Sequence, residues 1–305
     1  MHTVVAVPMP ALLLHLTAIE RLAADSRRLP AEMGAALHED LPYARFGAAL
    51  PDLPRYGGFR GGLHPFGIKR EASHFERLFH GYAPVAMGLK MAELVAMGAL
   101  VGKEPGRAFI CGYFAHLCLD RVLHPLVDGL AARYRAPNES NAKAHARIDW
   151  LHALFFLREL HGRDMMGNPY LRSKFQVTKR PVTPARGIGR GLFELIRLAA
   201  QETLYQAPSK AEVDSWVRGL FLYGAVLSSP LGRLRGLPSR PNAAYRALFQ
   251  GPEVDIPAAI SRAQSLTRDV LERISALMAR THFTARLRAR FLEEFPEGSH
   301  GACAA

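Results

Sequence analysis

His116, Asp120 and His124 stand four residues apart within the stretch Gly112-Tyr-Phe-Ala-His116-Leu-Cys-Leu-Asp120-Arg-Val-Leu-His124-Pro125. No other feature constrains the chain as tightly. On an α-helix, residues four apart lie one turn above another on the same face, so the three side chains form a polar column. Phe114, Leu117, Leu119, Val122 and Leu123 supply apolar surface around much of the remaining circumference, and a helix apolar nearly all round is normally buried. Burying a carboxylate between two imidazoles is costly unless something pairs with it. A cation does so, and imidazole nitrogen and carboxylate oxygen are ordinary zinc ligands. A surface aspartate flanked by unremarkable histidines is the alternative, but ionisable groups are seldom buried unpaired. Pro125 disfavours helical geometry at His124. The helix is therefore expected to end there and to turn its last histidine toward a different ion.

Similar groups recur on other helical stretches. Residues 10–25 place Leu12, His15, Leu16, Ile19 and Leu22 on one stripe, which puts a histidine inside a buried face. A core histidine is the plain alternative there. Asp52 lies between Pro51 and Pro54, on a turn of stiff backbone. Helical pattern resumes at Ser73-His74-Phe75 and runs on, after Pro84, to Leu100. Beyond a polar loop where Asn138 or Ser140 can cap, His145 and Asp149 are again four apart, with His152 on the same face. Three further helices are expected near 191–206, 210–228 and 255–281, with no tandem repeat and no convincing β alternation.

The chain thus reads as all-α in one domain. A metal-binding helical core spans 1–165, C-terminal helices over 166–290 pack on the same domain, and a small-residue tail over 291–305 is expected to be disordered. The net charge of +12 suggests attraction to an anionic partner such as a membrane surface, nucleic acid or a phosphorylated substrate. Arginines such as Arg280, Arg286, Arg288 and Arg290 carry much of it, without a long basic run. The cysteines, Cys111, Cys118 and Cys303, do not form a disulfide framework. Neither a signal peptide nor a membrane-spanning stretch is evident, so a cytoplasmic protein with peripheral membrane contact at most is expected. The glycine-rich stretch 55–70 lacks the strand-to-helix context and the lysine of a phosphate loop.

With these residues in place, the chain resembles the zinc-dependent phospholipase C family, which includes the secreted bacterial three-zinc phospholipases and the N-terminal region of GPI-specific phospholipase D. The resemblance rests on Met9-Pro10…His15, Phe46-Gly-Ala-Ala-Leu-Pro-Asp52, His74-Phe75, Gly112-Tyr-Phe-Ala-His116-x-x-x-Asp120-x-x-x-His124-Pro125 and His145-x-x-x-Asp149, in the family's order. It covers roughly the first 165 residues. It implies a multi-helix bundle of the phospholipase C and single-strand nuclease type, holding two or three zinc ions at one end. Asp52, His74, His116 and Asp120 would hold one ion. His124, His145 and Asp149 would hold a second. His15 and a bridging Asp120 would hold the third. Asp149 departs from the family's usual glutamate, and His152 one turn on is the alternative ligand.

The activity so implied is zinc-dependent phosphodiester hydrolysis of a phospholipase C kind, with Asp52 as the catalytic candidate that orients or deprotonates the attacking water. The expected substrate is a phospholipid or another phosphodiester, and Phe59, Leu63 and Phe66 of the glycine-rich stretch would offer an apolar entry. Two other readings compete. One is a zinc-dependent nuclease or nucleotidase on the same fold. The other is a non-catalytic basic helical protein that binds anionic membrane or nucleic acid and carries a structural metal. No obligate protein partner is evident.

Overall fold

The computed structural model describes residues 11–57, 74–98, 100–162, 166–175, 189–230, 256–280 and 282–297. Phe59, Leu63, Phe66, residues 176–188 and Cys303 lie outside them, as does the side chain of His152. The described residues are helical, without a β-strand among them. In order they form α1 (Ala11–Ala24), α2 (Ala31–Glu39), α3 (Leu41–Ala49), a 3-10 turn (Leu53–Tyr56) and α4 (His74–Arg77). A π-helical turn (Leu78–Tyr82), α5 (Pro84–Ala96), α6 (Lys103–Arg133) and α7 (Asn141–His161) follow. The rest is α8 (Tyr170–Lys174), α9 (Arg190–Leu204), α10 (Lys210–Ser228), α11 (Ile256–Met278) and α12 (Ala285–Glu294).

Helix α6 is the axis, packed by α1, α2, α3, α5, α7 and α11. Its stretch from Ala108 to Asp120 is buried without a break, as expected of a helix apolar on nearly every side. The closest neighbour is α3, and glycine makes the approach possible. A Cβ on Gly47 would fall 1.9 Å from the carbonyl oxygen of Phe109, and one on Gly112 1.8 Å from that of Ala44. Each helix thus presses its glycine against the other's backbone.

Helix α6 does not stop at His124 but continues through Pro125 to Arg133. The proline removes one backbone donor. Apolar packing outweighs that loss, because Leu123, Val127, Leu130 and Ala131 form a second core with Ile148 and Leu151 of α7 and Ile260 of α11. At the start of α7, Ser140 is the cap, accepting from the Lys143 amide at 3.3 Å.

The segment expected to be a loose tail begins inside α12 and stays packed through Glu297. Phe291 lies edge-on to Phe114, and Arg121 of α6 sits 3.9 Å above the ring of Phe295. The Glu297 carboxylate accepts from the Val85 and Ala86 amides at 2.8 and 2.6 Å. Those are orphan donors at the N-terminus of α5. Arg288, one of the arginines that carry the net positive charge, is committed to Glu93 and Glu202. No described helix is long and apolar enough to cross a membrane.

Candidate metal centre

The α6 column delivers Asp120 as a hub. Its carboxylate oxygens lie 3.0 Å from His116 Nε2, 3.2 Å from His15 Nε2, 3.4 Å from His124 Nε2 and 3.8 Å from His80 Nε2. His116 and His124 reach it along the helix. His15 arrives from α1, where it stacks on His116 with ring centroids 3.8 Å apart. His80 arrives from the π-helical turn, a geometry that recurs at functional sites because it re-aims one side chain. Asp52, on the bend after α3, closes the group, with its Oδ1 3.3 Å from His80 Nε2. His15, Asp52, His116 and Asp120 are all buried.

The second half lies one turn along. His145 of α7 stacks on His124 at 5.1 Å, and Asp149 shares a small cleft with Asp120, His124 and His15. The cleft's apolar walls are Leu14, Leu123 and Val127.

Sequence reasoning placed seven of these eight side chains and missed the eighth. His15, Asp52, His116, Asp120, His124, His145 and Asp149 converge. His74 does not join them: it is exposed on α4 and hydrogen-bonds Gln206. His80, six residues on, occupies the position that His74 was expected to fill. Two further residues were overlooked. Arg55, one turn after Asp52, places Nη1 2.9 Å from Asp52 Oδ1 and donates from Nε to Glu76. Asp128 extends the four-residue spacing of the α6 column by one step and holds His145 Nδ1 at 2.7 Å.

Backbone chemistry fixes one tautomer. His116 Nδ1 lies 2.7 Å from the Ala48 carbonyl oxygen. A carbonyl only accepts, so Nδ1 carries the hydrogen and Nε2 faces the cluster. The carboxylate of Asp128 does the same for His145.

Packing ionisable groups together moves their protonation equilibria. Burial alone would raise Asp52, yet Arg55 and His80 bring its carboxyl well below the usual range. Burial would likewise raise Asp120, but His116, His124 and His15 hold it ionised. Asp149 is pushed up to about 7, chiefly by burial. Burial lowers His15, with His116 adding to the effect. His124 rises to about 9, because Asp120 and Asp149 overcome its desolvation.

These residues suit a dication. Four ligands at about 2.0–2.2 Å around a tetrahedral zinc lie ~3.4 Å from one another. The separations around Asp120, 3.0 to 3.8 Å, bracket that edge length. Ligand-type atoms of His15, Asp52 and His116 lie within 4.8 Å of one another, as do those of His80, His116 and Asp120. Asp149 Oδ2 is buried without a hydrogen-bond partner. Burial drives that carboxyl toward its neutral form, and a cation placed there would hold it ionised. Compared with models of known families, with curated proteins and with solved structures, the chain matches none.

Proposed function

We propose that this chain is a zinc-dependent phosphodiester hydrolase of the phospholipase C kind, on a helical bundle of the phospholipase C and single-strand nuclease type. The observation that carries the reading is Asp120 ringed by four imidazoles at separations that fit zinc ligation. One ion would take Asp52, His80, His116 and Asp120, another His124, His145 and Asp149, and a third His15 with a bridging Asp120. Zinc bound there supplies Lewis acidity toward a phosphoryl oxygen and a water whose pKa falls to ~7.

The chain's own groups prepare the rest. Asp52 stays a carboxylate at neutral pH, because Arg55 and His80 offset its burial, and it would orient the attacking water by accepting its hydrogen bond, while bound zinc would supply the water's acidity. His116 and His145, held at Nδ1 by Ala48 and Asp128, keep their rings from turning. The apolar walls of the cleft keep bulk water away from the charges.

Phospholipid is the substrate class that the motif resemblance favours. The net charge of +12 also suits a nucleic acid or nucleotide, so phosphatidylcholine and single-stranded DNA belong side by side in the assay. Elemental analysis of the purified protein should find two or three zinc per chain. Phosphodiesterase activity should vanish with chelator and return with zinc. No zinc uptake, or equal rates with and without chelator, defeats the reading.

A further inference from the structure

We propose that Glu297 is a positioning residue for the centre, capping α5 from a distant part of the chain and thereby aiming His80 at Asp52 and Asp120. The inference rests on the zinc-hydrolase reading and adds to it the group that holds one ligand in place. Two of the ligand-type rings are supported from behind. His116 Nδ1 donates to the Ala48 carbonyl and His145 Nδ1 to the Asp128 carboxylate. His80 Nδ1 is buried with no hydrogen-bond partner among the described residues. His15 and His124 share that lack, but each stands on a long regular helix. His80 stands on five residues of π-helix, Leu78–Tyr82. Its aim therefore depends on what fixes that short piece of backbone.

On one side the π-turn is anchored by Phe79, which is buried and edge-on to Trp216. On the other it runs through Ala83 straight into α5, which has no side-chain cap of its own. The first residue of α5, Pro84, has no donor, and Met87 already bonds the Ala83 carbonyl at 3.0 Å. Val85 and Ala86 remain, and Glu297 meets each with a separate oxygen, Oε2 at 2.8 Å and Oε1 at 2.6 Å. A carboxylate is also the favoured charge at this end of a helix. Helix caps are ordinarily supplied by the residue just before the first turn. This one comes from more than 200 positions away, 212 for Val85 and 211 for Ala86. Arg121 delivers it, donating to the Pro296 carbonyl at 2.6 Å and lying over the ring of Phe295. Arg121 is the residue after Asp120. The segment from Phe295 to Glu297 thus ties the helix that carries Asp120 to the turn that carries His80, whose Oδ2 and Nε2 lie 3.8 Å apart.

Glu297→Gln tests the role, because a carboxamide has one acceptor oxygen and turns an NH2 toward the second amide. In the metal-free protein, hydrogen exchange of the amides between Phe79 and Ala86 should quicken while that of α7 stays as it was. In the zinc-loaded protein, chelator competition should find the ion of Asp52, His80, His116 and Asp120 weakened by about 10- to 100-fold, the scale of lost support behind a ligand. The ion of His124, His145 and Asp149 should be unchanged. In a His80→Ala background the same substitution should cost no further zinc affinity. Glu297→Ala removes both acceptors and should have the larger effect, and the glutamine variant should fold even where the alanine variant does not. Unchanged exchange, or unchanged zinc affinity, in Glu297→Gln overturns the positioning role and leaves the metal reading standing. A loss repeated in the His80→Ala background, or shared equally by both ions, overturns it too, reducing Glu297 to a cap that stabilises the fold as a whole. Wild-type protein that takes up no zinc overturns both.

Discussion

Gly47 and Gly112 press against each other's helices so closely that neither position has room for a methyl group, with carbonyl oxygens 1.9 and 1.8 Å from where a Cβ would stand. The contact has a chemical consequence one turn later. It brings the Ala48 carbonyl to 2.7 Å from His116 Nδ1 and so fixes the tautomer of a ligand-type histidine. Gly112→Ala should therefore separate α3 from α6. The expected cost is at least about 2 kcal/mol, at the upper part of the range for overpacking, because backbone rather than a side chain must move. Chemical denaturation measures it, and zinc affinity should fall alongside.

His80 and His74 give the sharpest contrast between two histidines of one short segment. His80 meets Asp52, His116 and Asp120, whereas His74 meets Gln206 at the surface. Polar partners that merely orient metal ligands are worth 10–100-fold in affinity. On the proposed zinc centre His80→Ala removes a ligand, and it should thus weaken zinc binding by at least about 100-fold in chelator competition. His74→Ala should leave stoichiometry and affinity as they were. Equal effects from the two would remove His80 from the centre.

The difference between those histidines also shows where the sequence stopped being readable. Periodicity located α1, α6, α7, α9, α10 and α11, because each carries large apolar residues at helical spacing. Helix α3 was opaque, since Phe46-Gly-Ala-Ala offers little but small residues whose value lies in close approach. His74 alone was read as a ligand in that segment, and His80 was missed because its place at the centre depends on a π-helical turn that leaves no compositional mark. Asp128 was legible in principle as the next step of the column after His124. Taking Pro125 as the helix end concealed it, and only tertiary packing keeps that proline inside α6. Arg55 carried no signal apart from its place beside Asp52.

Glu93 should make the fold sensitive to acid. It is buried on α5, and its burial alone would raise its pKa. The Phe283 amide at 3.1 Å, Lys90 at 3.0 Å and Arg288 at 2.6 Å outweigh that and lower it. With the folded pKa below the unfolded one, the native state binds this proton less readily. The stabilisation is present above the ordinary glutamate value of roughly 4.3 and is lost as pH falls through the folded value. Stability measured by urea denaturation should decline on acidification, and Glu93→Gln should be less stable at neutral pH with a shallower decline. Parallel profiles for the two proteins would rule Glu93 out as a contributor.

Asp128 lies one turn beyond His124 and holds His145 from outside the cluster, its side chain half exposed. Burial lowers the His145 pKa and the Asp128 hydrogen bond opposes that, so the ring is neutral at neutral pH with its hydrogen directed to Asp128. That arrangement leaves Nε2 with its lone pair free to meet a cation. In Asp128→Asn the carboxamide still offers an acceptor but no charge, while Asp128→Ala leaves the ring without a partner. Both should fold, because the residue contributes little to the core. Zinc affinity of the half formed by His124, His145 and Asp149 should drop by about 10- to 100-fold in the alanine variant and by less in the asparagine variant. The half built on Asp52 and His116 should keep its ion, so titration with a graded chelator should resolve one weakened site and one unchanged. Uniform weakening of every site would mean that the two halves do not bind as separate units.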